Sequence, residues 1–152
     1  MLPEKGGETM NEQTSTLLNE VVKNAEMGKN TIRQLLGIAE DERLKEHLHR
    51  QLATYEDLSN RAHAMLAVEG ETPQGQGTFT KLNAKMGVAM QTAMDKSPRK
   101  IAEMLIEGSN VGATDLTKAM RDAPEAGPGA MALAQRLQNA ENTYAQELNV
   151  FL

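Results

Sequence analysis

Residues 15–39 read STLLNEVVKNAEMGKNTIRQLLGIA, and the spacing of their apolar members decides the fold. Leu18, Val21, Val22, Ala25, Gly28, Ile32, Leu35 and Ala39 recur at three- and four-residue intervals over roughly three heptads, the period of one helix face. Ala25 and Gly28 lie in mid-stripe, where small side chains let a partner helix approach closely. Asp41 stands where it can cap a second helix running to about Val68. The stripe of this helix is Leu44, Leu48, Leu52, Tyr55, Leu58, Ala62 and Met65 or Leu66. The turn between the two helices is tight, so they form an antiparallel pair.

The pattern breaks at residues 69–77, EGETPQGQG, a loop in which Pro73 and three glycines disfavour helix. A shorter helix follows, with Phe79, Leu82, Met86, Met90 and Ala93 on one face and Lys81 and Lys85 off it. Ser97-Pro98 is a start signal, a capping serine before a proline at the first helical position. The next helix carries Ile101, Leu105, Gly108, Gly112, Leu116 and Ala119, and ends at residues 122–129, DAPEAGPG. The last runs from about Ala130 to the carboxyl terminus with Leu133, Leu137, Ala140, Tyr144, Leu148 and Phe151 inward. The short link again implies an antiparallel pair. The expected architecture is all-α: a four-helix bundle whose two pairs are joined by a long crossover containing a short fifth helix. Residues 1–13, with Pro3, Gly6 and Gly7, read as a loose tail, and residues 14–152 as one helical-bundle domain.

Composition narrows the chemistry. Of 152 residues, 39% are hydrophobic but only 3% aromatic, so Leu, Ala and Met fill the core and helix is favoured over strand. The net charge of −5, with acids and bases mixed, leaves no electrostatic footprint for nucleic acid or anionic lipid. With no cysteine, disulfides, thiolate catalysis and cysteine metal ligation are excluded. No apolar run approaches the roughly 18–20 residues that span a bilayer. Met1 to Gln13 lack the apolar centre of a secretory signal, so a cytoplasmic location is expected.

The helix order, the stretch Asp41-Glu-Arg-Leu-Lys and the EGETPQG loop together resemble the ferritin-like superfamily, and within it a group of uncharacterised bacterial bundles of about this length. The resemblance spans residues 17–152. It implies a site for two metals, iron or manganese, held by one Glu from each of two helices and a Glu-x-x-His from each of the other two.

Glu46-His47-Leu48-His49 holds the only Glu-x-x-His in the chain. At about 100° per residue, His49 lies roughly 130° from the Leu48–Tyr55 stripe and Glu46 nearly opposite it, so both are expected in solvent. The polar residues on the inner stripes are Glu141, Asp115 and Gln51, together with Tyr55 and Tyr144. Thr54-Tyr55 and Thr143-Tyr144 occupy parallel settings, and Glu141-Asn-Thr-Tyr144 is a Glu-x-x-His with tyrosine in the place of histidine. A phenol must lose a proton of pKa near 10 before it binds metal, whereas imidazole binds near neutrality. Glu26 lies off the inner stripe and Ala113 occupies the place of the other expected acid.

These residues therefore read as a buried polar cluster of Tyr55, Tyr144, Glu141, Asp115 and Gln51 in a degenerate metal site, with no catalytic residue and no cofactor. The alternative is a di-iron type oxidoreductase or storage bundle, with Glu141, Asp115 and Glu26 as ligands to iron or manganese. The stripe Met86, Met90 and Met94 reads as core filler. His63, with no evident acid partner, reads as a surface residue. The expected role is structural or one of protein interaction, with a homodimer through helix faces among the candidate assemblies.

Overall fold

The structure is a computed structural model that describes residues 11–68 and 95–152. The described residues form four α-helices: α1 (Glu12–Leu36), α2 (Glu42–Val68), α3 (Pro98–Arg121) and α4 (Pro128–Glu147), the last tightening into a 3₁₀ turn, Leu148–Phe151. No strand occurs among the described residues. The loop expected at residues 69–77 and the helix expected after it lie outside them, as do residues 1–10.

Each helix starts where its chemistry dictates. The Asn11 side chain accepts from the Thr14 amide at 2.7 Å, which starts α1 three residues before the expected Ser15. Asp41 accepts from the Leu44 amide at 2.8 Å and caps α2. Ser97 caps α3 ahead of Pro98, as the sequence predicts. The first helix closes at Leu36 rather than Ala39, because Gly37 and Ile38 turn the chain while Ala39 still packs into the core.

The core is aliphatic. Leu17, Leu18, Ile32, Leu35, Leu44, Leu48, Leu58, Leu66, Ile101, Leu116, Leu137 and Leu148 are all fully buried. Packing is closest between α1 and α2 and between α3 and α4, the two expected pairs. One expectation for α3 fails: Gly108 faces solvent, and Ser109 takes its place inside. The run Ile101, Leu105, Ser109, Gly112, Leu116 keeps the helical period, and Gly108 falls one position outside it.

Side-chain bonds set the helix directions. Thr14 at the start of α1 accepts from the Gly127 amide at the start of α4 at 2.7 Å. Gln13 accepts from the Glu125 amide at 2.6 Å, and Asn11 donates to the Glu125 carbonyl at 3.0 Å. Residues 11–13, expected in a loose tail, are therefore part of the fold. Gly129 lies beside Met65 near the end of α2, and the 3₁₀ turn packs on α3. Thus α1 and α4 point one way, and α2 and α3 the other. The end of α2 and the start of α3 stand at opposite ends of the molecule.

Candidate functional site

All four helices contribute a residue to one polar layer halfway along the bundle. On α4, Glu141 is 4% exposed, one turn after the stripe position Leu137. Its Oε1 accepts from the Tyr55 hydroxyl of α2 at 2.6 Å and from the Ser109 hydroxyl of α3 at 3.0 Å. On α1, Asn24 is buried and its Nδ2 donates to the Gly112 carbonyl of α3 at 3.1 Å.

Two glycines make room for this layer. A Cβ on Gly112 would stand 2.7 Å from Glu141 Oε2 and 3.1 Å from Asn24 Nδ2. A Cβ on Gly28 would stand 2.8 Å from the Tyr55 ring, so that mid-stripe glycine admits a ring as well as a helix. The Asn24 bond to Gly112 fixes which way its amide points, and it leaves Asn24 Oδ1 buried without a partner on the Glu141 Oε2 side of Gly112.

Burial drives the electrostatics. It pushes the Glu141 carboxyl up to about 7, against the opposing pull of the bonds from Tyr55 and Ser109. Burial, and then the charge of Glu141, hold the Tyr55 phenol well above its ordinary range, so it stays a donor. Near neutrality Glu141 is divided between two forms. The protonated form carries its hydroxyl on Oε2, since Oε1 accepts from Tyr55 and Ser109.

The expected cluster is only partly assembled. Tyr55 and Glu141 meet. Tyr144 is half-buried and shares a 2.6 Å bond with Thr54, not with Glu141. Its hydroxyl also donates to the Arg50 carbonyl at 3.4 Å, on the groove side of α2. Asp115 is half-buried and makes no bond to the layer among the described residues, as it sits three positions past Gly112 on the flank of α3. Gln51 is fully buried, but one turn away from Tyr55. The sequence reading missed Asn24 and Ser109. The signal was available for Ser109, four residues after Leu105 and seven before Leu116 on one stripe.

Off the layer, Glu46 and His49 are both exposed on α2. Glu26 lies at the α1–α2 seam, where its carboxylate accepts from Lys29 at 2.8 Å and Ser59 at 2.5 Å. Burial raises its pKa, but those bonds and the charges of Lys29 and His63 outweigh burial and lower it overall. His63, expected to lack an acid partner, has its Nε2 4.0 Å from Glu26. His47 is buried against Tyr144 and Phe151, with ring centroids 5.5 and 6.4 Å apart.

A metal pair does not fit this donor set. The layer offers one carboxylate, one of whose oxygens is already bonded by two hydroxyls, together with an amide, a phenol and no imidazole. Among the described residues no group of three His, Asp or Glu side chains is placed to hold an ion. A groove of about 450 Å³ runs between α2 and α4, with Arg50, Thr54, Arg136, Asn139, Tyr144 and Glu147 on its walls. Glu141 does not line it. No helix among the described residues is long and apolar enough to cross a membrane. Compared with known protein families, with curated proteins and with solved structures, the chain matches none.

Proposed function

We propose that this chain is a ferritin-like bundle whose mid-bundle layer holds a proton in place of a metal pair, and that it serves a structural or protein-interaction role. The observation that carries the reading is the make-up of the layer. One side chain or backbone cradle comes from each of four helices, the arrangement that the resemblance implies for metal ligands, yet the donors are Asn24, Tyr55, Ser109 and Glu141. The helix directions support the same reading, since joining the end of α2 to the start of α3 requires a crossover along the bundle. With Glu141 bonded and enclosed, no reacting group of the layer reaches a substrate. Function then rests on the outer helix faces, where a partner protein or a second copy would dock, and Val111 is an exposed apolar residue on α3.

Elemental analysis of the full chain, purified without chelator and then offered iron(II), manganese(II) and zinc(II), tests the proposal. The expected result is no stoichiometric metal and an unchanged thermal midpoint with each ion. One or two equivalents of metal retained by the wild type and lost in Glu141→Gln would defeat it, and would establish the oxidoreductase or storage reading instead.

A further inference from the structure

Among the described residues four buried side-chain atoms lack a hydrogen-bond partner, and three of them belong to two residues one turn apart on α2: Nε2 of His47, and Oε1 and Nε2 of Gln51. His47 is 3% exposed and Gln51 0%. An unpaired amide out of water costs several kcal/mol by order of magnitude, so a fold rarely keeps one dry.

His47 Nδ1 stands between a donor and an acceptor, 3.3 Å from Arg50 Nη2 and 3.4 Å from Glu147 Oε1. Which ring nitrogen carries the proton follows from which of the two it pairs with, and Nε2 is buried without a partner either way. The unpartnered groups are then His47 Nε2, the Gln51 amide donor and the Gln51 Oε1 acceptor. An anion would leave Gln51 Oε1 unsatisfied and would bring a buried charge. A cation would face the Gln51 amide N–H. A neutral molecule that both accepts and donates matches all three atoms.

Size narrows the choice further. Residues four apart on a helix face have Cβ atoms about 5–6 Å apart, a gap that one molecule with bonds of about 2.8 Å on each side bridges. The Tyr144 ring of α4 packs edge-on against both His47, at 5.5 Å, and Tyr55, at 6.4 Å. Tyr144 also lines the outer groove.

We propose that His47 and Gln51 together form a binding site for a single internal water molecule. This site is distinct from the Glu141 layer and does not depend on the role assigned to that layer.

The direct test is nuclear magnetic resonance of the wild-type full chain, labelled with ¹⁵N. A bound water predicts cross-peaks from a long-lived water to the Gln51 side-chain amide and to the His47 ring. Their absence, with both groups otherwise observed, overturns the site. Gln51→Leu supplies a second readout whose sign decides. In a dry core the change removes an unpaired amide and raises the urea midpoint. At a hydrated site it expels the water, leaves His47 Nε2 unpaired and lowers the midpoint. A lowered midpoint is expected, and a raised one also overturns the proposal.

Discussion

Glu141 is the residue on which a change of pH should act. Its folded pKa of about 7 lies above the ordinary carboxyl value of 4.5, so the folded state binds the proton more tightly than the unfolded chain. Its contribution to stability is present in full below pH 4.5 and is lost as pH rises through 7. The upper bound on that loss is about 3 kcal/mol. His47 and Glu26 work the other way. Burial lowers the His47 pKa, and net hydrogen bonding lowers that of Glu26, so each favours the fold more as pH rises. The difference between wild type and Glu141→Gln isolates the Glu141 part. Urea denaturation at pH 5, 6, 7 and 8 should show the wild type losing stability relative to Glu141→Gln as pH rises. A constant difference would place the proton elsewhere. Glu141→Leu removes the acceptor of Tyr55 and Ser109 and should cost about 1–3 kcal/mol at pH 5, where Glu141→Gln costs little.

Within α3 two glycines, one turn apart, make opposite predictions. Gly108 is exposed, and a Cβ there would meet nothing within 4 Å. Gly108→Ala should therefore gain about 0.5–1 kcal/mol through helix propensity alone. Gly112 is buried, and its Cβ would press on Glu141 Oε2 at 2.7 Å. Gly112→Ala should gain the same propensity but lose about 1–3 kcal/mol as the layer shifts. Thermal midpoints of the two variants check this, and similar shifts in both would mean that Gly112 is no cradle. Gly112 stands within the stripe of α3 and Gly108 one position outside it. Glu141 of α4 and Asn24 of α1 reach only the first of them.

For the whole molecule the tie between pairs matters most. Thr14 holds the start of α1 to the start of α4 through the Gly127 amide, a contact across 113 residues of chain. Thr14→Val keeps the shape and removes the acceptor, which should cost about 1 kcal/mol. Native-state hydrogen exchange should then show faster opening of the first turns of α1 and α4, while α2 is unaffected. Uniform loosening would count against a local tie. The four long helices, the polarity of their faces, the caps at Asp41 and Ser97 and the two antiparallel pairs are legible in residue order, because local spacing and capping chemistry act within a few positions of chain. Leu44, Leu48, Tyr55 and Leu58 could be placed inside on spacing alone, and they are buried. The polar layer was legible only in part. Periodicity says that Glu141 and Tyr55 face inward, but not that Ser109 bonds Glu141, that Asn24 bonds Gly112, or that Tyr144 turns to Thr54. Which hydroxyl reaches a carboxylate depends on crossing angle and axial offset between helices distant in sequence. Those are set by how the aliphatic side chains of all four helices interdigitate, and no single stripe contains that information.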